Sequence, residues 1–183
     1  MRYLFSLLLL MANVSCSNKL KLNKEFGCNN AKIKKNTTIK DYNNNFKLSI
    51  PTYWKTELYF NENLSEISVA DTTKQLTQSF ILTTSYNYGS LKFNERFYIK
   101  SDSILSYLNL KKVKYGDVTF QSKPAYWYLA KGFKNGFPFH QFNVIVLNSE
   151  NSYLNAVAEI YGDDTIDERI CEAISILNTI KYF

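Results

Sequence analysis

The alternation of apolar and polar positions predicts an antiparallel hairpin in the second half of this chain. Residues 125–133 and 137–147 are rich in β-branched and aromatic side chains, and Lys134, Asn135 and Gly136 separate them. An Asn-Gly pair supplies the positive φ angles of a type I′ turn, whose twist matches that of the flanking strands. We therefore expect the two segments to pair as adjacent antiparallel strands.

Further strands follow from the same pattern. Phe46, Leu48 and Ile50 alternate with polar residues and run into Pro51, which is typical of a strand closed by proline. Trp54 follows as a predicted core residue. Alternation and β-branched or aromatic enrichment predict the remaining strands at residues 66–71, 78–86, 111–120 and 153–161.

Two segments have the 3.6-residue period of a helix. In residues 165–181 one apolar stripe is preceded by Asp163 or Asp164 as the predicted N-cap, with acidic residues in the first turns. A second helix is predicted at residues 94–109, but its interior contains a Ser-Asp-Ser run, so a start at Ser101 is the alternative. The stripe of the last helix consists of Ile166, Ile170, Ala173, Ile174, Leu177 and Ile180.

This order of elements predicts an α+β fold. We expect a twisted antiparallel sheet of about six to seven strands covered by helices. The 183 residues, of which 45% are hydrophobic, are enough for one domain with a real core. We place that domain at residues 39–183.

Three short segments carry a likeness to a known family: Asn45-Phe46-Lys47-Leu48-Ser49-Ile50-Pro51 with Trp54, Lys123-Pro124-Ala125-Tyr126, and Ile176-Leu177-Asn178-Thr179-Ile180. Together they resemble the PsbP-like α/β/α sandwich. The likeness covers about residues 39–183, and it implies a scaffold for protein contacts, as in extrinsic photosystem subunits and bacterial lipoproteins. No photosynthetic residue set can be carried onto this sequence.

The first residues are typical of a lipoprotein signal peptide, predicted at 1–16. Arg2 precedes an apolar run at residues 3–12, small and polar residues follow, and Cys16 ends the segment. Asn13 stands where a lipobox usually has Leu. We expect acylated Cys16 to anchor the protein in the outer membrane of a bacterial cell envelope. Ordinary signal cleavage, which would give a secreted or periplasmic soluble protein, is the alternative.

Residues 17–38 are rich in Asn and Lys, and we interpret them as a tether between the anchor and the domain. If Cys16 is acylated, Cys28 and Cys171 remain. Cys171 lies opposite the apolar stripe of the last helix, and an exposed thiol in an oxidising compartment tends to find a partner. A Cys28–Cys171 disulfide and two unlinked thiols are both open, because the sequence does not show their separation.

The sequence offers little chemistry for catalysis. His140 is the single histidine, and no nucleophile motif, phosphate-binding loop or metal-spaced Cys/His set is present. The acidic residues around Asp163 and Asp167 fit helix capping better than cation binding. We predict no enzymatic activity, no metal and no cofactor. The formal charge of +6 comes from lysines spread along the chain, and we expect no nucleic-acid partner for an exported protein.

Aromatic residues are unusually frequent, with 14 Tyr and 13 Phe. Tyr126 and Tyr128 must share one face of their strand, and Phe137 and Phe139 lie across the Asn-Gly turn. These four residues form a candidate contact surface. The alternative is a tyrosine-rich core with hydroxyl groups at its rim.

Three functions follow from these observations. The leading hypothesis is a membrane-anchored, non-enzymatic binding or accessory domain for an unknown envelope protein. The second is a small-ligand carrier with a pocket between sheet and helix, lined by Tyr and Trp. A hydrolase is the third, and it would require His140 beside a carboxylate and a hydroxyl in one cleft.

Overall fold

The computed structural model describes residues 22–29 and 35–183, which form two antiparallel sheets with three α-helices and one 3₁₀ turn. The predicted α+β class is confirmed. The helices are α1 (Leu22–Glu25), α2 (Glu95–Tyr107) and α3 (Ile166–Leu177), and the 3₁₀ turn is Leu76–Gln78. The strands are β1 (Asn36–Lys40), β2 (Phe46–Pro51), β3 (Lys55–Phe60), β4 (Leu64–Ala70), β5 (Phe80–Tyr88), β6 (Lys111–Phe120), β7 (Lys123–Lys134), β8 (Phe137–Ser149), β9 (Ser152–Tyr161) and β10 (Lys181–Tyr182).

The large sheet has seven strands in the order β3-β4-β5-β9-β8-β7-β6, and every neighbouring pair is antiparallel. Its last four strands in sequence are adjacent in space, as the hairpin pattern predicts. Asn135 and Gly136 have φ angles of 53° and 81°, so the β7–β8 turn has the two positive values of type I′. The predicted strands therefore occur, with ends shifted by a few residues.

The main core lies on one face of the large sheet. β1, β2 and β10 form a three-stranded sheet, and the alternating Phe46, Leu48 and Ile50 of β2 are buried in this core. α3 packs into the same core with the predicted stripe. Ile176 and Arg169 are buried on α3 as well, and the periodicity does not predict either of them.

α2 covers part of the opposite face. Asn94 caps the helix, because its side-chain oxygen accepts a hydrogen bond from Phe97 N at 3.1 Å. The alternative start at Ser101 is wrong: α2 begins at Glu95, and the Ser103 hydroxyl donates to Ile99 O at 2.9 Å within the helix. The side chains buried between α2 and this face of the sheet are Leu105 of the helix itself and Leu110, Tyr126, Tyr128, Ala130, Phe139 and Tyr161.

The tether predicted for residues 17–38 is wrong for 22–29 and 36–38. Leu22 is only 3% exposed in the main core, and the Phe26 ring packs edge-on against Trp127 and Phe142 at centroid distances of 5.0 and 5.2 Å. Residues 36–38 belong to β1, so the domain begins before residue 39. Two large apolar side chains are enough to bind an otherwise polar segment to the core. Residues 17–21 and 30–34, the predicted signal peptide and Cys16 lie outside the described residues.

The predicted caps of the last helix are also wrong. The N-cap is Thr165, with φ 51° and no side-chain hydrogen bond to the helix. Asp163 and Asp164 lie in the preceding loop, where Arg169 binds the backbone instead. Within the described ranges, no helix is long and apolar enough to span a membrane.

Candidate functional site

The outer strand β3 exposes consecutive apolar side chains at one edge of the large sheet. Among the described strands, β3 pairs with β4 alone. Leu58, Tyr59 and Phe60 are 48%, 56% and 47% exposed. An exposed apolar edge strand is a template for pairing with another chain, and soluble proteins usually protect such an edge.

The opposite edge of the sheet does have such protection. β6 carries exposed Lys111 and Lys114, and its register with β7 shifts between Lys112 and Lys114. Lysines and bulges of this kind prevent edge-to-edge pairing. β3 pairs with β4 in unbroken register from Lys55 to Phe60. Because β3 also carries the exposed Lys55 and β6 also exposes Tyr115, the two edges differ in the bulge of β6 and in the three consecutive exposed apolar side chains of β3.

Tyr42 extends the exposed surface of β3. Its ring stacks on Phe60 with centroids 3.7 Å apart and planes 3° apart, and Tyr42 is 58% exposed. The buried Asp41 fixes this turn, because its carboxylate accepts hydrogen bonds from Phe46 N at 2.8 Å and from the Asn45 amide at 2.9 Å. We call Tyr42, Leu58, Tyr59 and Phe60 the β3 patch.

The turn after β3 is fixed by a second side chain. The Asn61 side-chain oxygen accepts hydrogen bonds from the backbone N–H groups of Asn63 and Leu64 at 2.8 and 3.0 Å. Asn43 N donates to the Ser65 hydroxyl at 3.4 Å, which links this turn to the turn of Tyr42. The β3 patch is therefore held by two hydrogen-bonded turns from two different sheets.

The sequence-predicted contact surface is wrong for three of its four residues. Tyr126, Tyr128 and Phe139 are 3%, 7% and 2% exposed, because α2 covers them, whereas Phe137 is 42% exposed. These tyrosines match the alternative of a tyrosine-rich core. The β3 patch was missed because Leu58-Tyr59-Phe60 does not alternate. Three successive large apolar residues before an Asn-Glu-Asn turn were the available signal.

Lys112 pairs with polar groups at the edge of the core beneath α2. Its ammonium group lies 2.5 Å from Asp102 and 3.1 Å from the Tyr126 hydroxyl, and within 5.6 Å of the centroids of the Tyr115, Tyr126 and Tyr128 rings. Burial raises the pKa of the Tyr126 phenol and Lys112 opposes that shift. Burial alone would lower the pKa of Lys112, but the hydrogen bonds to Asp102 and Tyr126 raise it. This cluster is internally paired.

Cys28 and Cys171 are joined by a disulfide in the structure, with Cα atoms 5.3 Å apart and a sequence separation of 143. The bond ties the segment that carries Leu22 and Phe26 to α3. Cys171 is half-buried and lies off the buried stripe of α3. The covalent link therefore adds to the apolar contacts that hold the N-terminal segment on the domain.

His140 is buried on β8, on the same face of the strand as Phe142. Its Nε2 lies 3.6 Å from Asp163, while Nδ1 has no hydrogen-bond partner among the described residues. Burial lowers the pKa of His140, and Asp163 opposes that shift. No group of three or more potential metal ligands occurs within residues 22–29 and 35–183.

Two cavities bear on the carrier hypothesis. An open cavity of about 810 Å³ lies beside the disulfide on the outer side of α3, and Asn29 and Lys35 both line it. A smaller cleft of about 300 Å³ lies at the margin of α2, lined by Phe93 and Tyr98 among others. Trp54 and Trp127 are both buried in the main core, so the predicted tryptophan lining is wrong.

Comparison with known proteins decides the fold. No protein-family model matches this sequence, and no curated protein sequence matches it. The structure is similar to that of cyanobacterial PsbP (CyanoP) from Synechocystis sp. PCC 6803, with a TM-score of 0.58 and 8% identity over 85% of this chain and 97% of that one. The protein has a PsbP-like fold. The predicted resemblance is thus confirmed for the fold.

Two weaker likenesses to the PsbP-like domain were found. A protein from Bacteroides thetaiotaomicron has a TM-score of 0.47 and 11% identity, over 75% of this chain and 45% of that one. LpqN, involved in cell envelope biogenesis of Mycobacterium tuberculosis, has a TM-score of 0.43 and 15% identity, over 80% of this chain and 90% of that one.

Proposed function

We propose that this protein is an envelope lipoprotein whose PsbP-like domain binds a protein partner and catalyses no reaction. The β3 patch is the observation that supports this function most. It combines an open strand edge with four large side chains that are each about half exposed. Aromatic residues in fixed positions are the common anchors of protein interfaces.

The anchor is proposed from the signal peptide pattern that ends at Cys16. Leu22 is buried in the domain, and it lies six positions after Cys16 in the sequence. Six residues span at most about 21 Å. An acylated Cys16 would therefore hold the domain close to the lipid surface, and its partner would be a protein at that membrane.

The absence of catalysis is proposed from the surroundings of His140. The imidazole is 8% exposed, and the carboxylate nearest to it belongs to the exposed Asp163. A general base must reach its substrate within hydrogen-bond distance, and the buried imidazole of His140 lines neither of the two cavities described above. This geometry favours a structural role for His140.

Site-specific photo-crosslinking tests the function. A benzophenone amino acid would replace Tyr59 in the full chain in its source cells, and a matched variant would carry it at Tyr115. Tyr115 is 67% exposed on β6, the bulged edge strand. We expect one defined protein adduct at position 59 and none at 115. Adducts at neither position, or equal adducts at both, would contradict the proposed contact site.

Mass spectrometry of the purified chain tests the anchor separately. An N-terminal Cys16 carrying a diacylglyceryl group is expected, and Cys16→Ser should abolish both the modification and the membrane association. An unmodified N-terminus at Ser17 would remove the anchor, but it would leave protein binding at β3 open to the crosslinking test.

A further inference from the structure

The hydrogen bonds between β3 and β4 show which backbone groups of β3 face outward from the sheet. Asn61 N donates to Leu64 O at 2.9 Å, so these two residues form a hydrogen-bonded pair at the end of the β3–β4 hairpin. Hydrogen-bonded and non-hydrogen-bonded pairs alternate along an antiparallel ladder. Because the register is unbroken, Tyr59 and Glu57 also bond to β4. Thr56, Leu58 and Phe60 direct their N–H and C=O groups away from β4.

We propose that the partner binds by strand addition: an extended segment of another protein pairs with Thr56, Leu58 and Phe60 and becomes the eighth strand of the large sheet. This inference rests on the proposed function and specifies its binding mode. Only an extended chain presents donors and acceptors at the spacing of these outward groups. No described residue pairs with them.

The side chains of β3 define the chemistry of the added segment. Leu58 and Phe60 lie on the face of the main core, since Leu58 is opposite the buried Ile67. Lys55 and Glu57 lie on the other face, where their charged groups are 3.2 Å apart and exposed. The complementary segment alternates, with apolar residues beside Leu58 and Phe60 and charged or polar residues beside Lys55 and Glu57.

A second copy of this chain fits the edge less well. Antiparallel self-pairing centred on Leu58 would place Thr56 against Phe60 and Glu57 against Tyr59, with no opposite charges paired. Centring on Thr56 would pair Lys55 with Glu57 twice, but it would move Leu58 and Phe60 beyond the start of the strand at Lys55. Centring on Tyr59 would pair Leu58 with Phe60 twice, but it would place Glu57 against Asn61 in the turn and pair no charges, and centring on Glu57 would oppose two like charges. None of these four registers satisfies both the charges and the apolar side chains, so a different segment is the better occupant.

Peptide selection on the full-length, detergent-solubilised chain tests strand addition. The probe is a phage library of random decapeptides, and selected peptides are measured by fluorescence polarisation. Leu58→Pro removes an outward N–H that β4 does not use, while Leu58→Ala removes the same apolar side chain and keeps the N–H. We expect Leu58→Pro to weaken binding at least about tenfold more than Leu58→Ala.

Hydrogen exchange on the wild-type complex keeps the test independent of the folding of the proline variant. Strand addition predicts that a selected peptide protects the amides of Thr56, Leu58 and Phe60. If Leu58→Pro and Leu58→Ala bind equally and crosslinking still maps to Tyr59, strand addition is wrong while the proposed function stands. Protection elsewhere, no enriched peptide, or a dimer that protects the same amides without peptide would each overturn the inference.

Discussion

The rings of Tyr42 and Phe60 lie parallel, 3.7 Å apart, although the two residues belong to different sheets. Tyr42 stands in the turn between β1 and β2, and Phe60 ends β3. Both rings remain about half exposed. The stack thus connects the two sheets at the surface and holds the open edge of β3 in place.

A double-mutant cycle measures this connection. Tyr42→Ala and Phe60→Ala should couple by about 0.5–1.5 kcal/mol in the free energy of unfolding, because each ring loses its stacking partner. The control pairs Phe60→Ala with Tyr53→Ala, which removes a tyrosine of equal exposure that makes no ring contact with Phe60. Urea denaturation gives the four free energies of each cycle. Additive effects in the Tyr42 cycle would show that the stack contributes nothing.

The Cys28–Cys171 bond should stabilise the domain. It closes a loop of 143 residues, and chain entropy alone gives about 5 kcal/mol for such a loop, with about 2–5 kcal/mol typically measured. We expect the Cys28→Ser/Cys171→Ser double variant to lose stability in this range and to gain hydrogen exchange at Leu22 and Phe26. Iodoacetamide labelling of both thiols in the unreduced wild-type protein would contradict the bond.

Arg169 should be the most sensitive polar residue of α3. Its guanidinium group donates to the carbonyl oxygens of Thr77, Ser79 and Tyr161 at 3.2, 3.0 and 2.8 Å, and also to those of Gly162 and Asp164. Arg169→Lys cannot reproduce this planar set of donors, so we expect a loss of about 2–4 kcal/mol.

The control for Arg169 is Arg96→Lys, because Arg96 is exposed on α2. That substitution should change the free energy of unfolding by less than about 0.5 kcal/mol. Equal effects of the two substitutions in urea denaturation would show that the carbonyl contacts of Arg169 add no stability.

His140 should make stability depend on pH. Burial lowers its pKa in the folded protein, against the opposing effect of Asp163, while the unfolded value is about 6.5. The unfolded chain therefore takes up the proton first as the pH falls. The contribution is fully present above about pH 6.5 and is lost as the pH falls below that value.

His140→Gln tests this dependence, because the variant contains no imidazole group at all. The free energy of unfolding should fall less steeply between about pH 7.5 and pH 5.5 in His140→Gln than in the wild-type protein. Identical slopes would mean that the pKa of His140 is the same in both states. Asp163→Asn should steepen the wild-type slope, because Arg169 and Lys131 would then act on His140 without an opposing carboxylate.

The sequence predicts the elements in which one face is buried. Strands β4, β5 and β9 and the stripe of α3 have a clear period because each has a core side and an opposite side. β7 and β8 are buried on both faces over much of their length, and their β-branched and aromatic residues and the Asn-Gly turn predict them instead. β3 has no such period, since Leu58, Tyr59 and Phe60 are all exposed on both faces of an edge strand. The strand that carries the candidate site is therefore, with β1 and β10, among those that the pattern did not predict.

Other differences arise from long-range contacts. Residues around Leu22 look like a polar tether, because Leu22 and Phe26 are bound by partners more than a hundred residues away in sequence. Strand parity places Tyr126 and Tyr128 on one face but does not show that α2 covers it. The burial of Arg169 depends on carbonyl groups of two separate segments, one at Thr77 and Ser79 and the other at Tyr161. None of these contacts produces a pattern of apolar and polar residues in the sequence around the residues involved.

Amide hydrogen exchange of free β3 tests the central claim that this edge is open to a protein partner. Glu57 and Tyr59 bond to β4 and should exchange slowly, whereas Thr56, Leu58 and Phe60 should exchange rapidly. The alternation should persist on dilution of the full-length chain. Slow exchange at all five positions in the dilute protein would show that the edge is already occupied, and it would contradict the account.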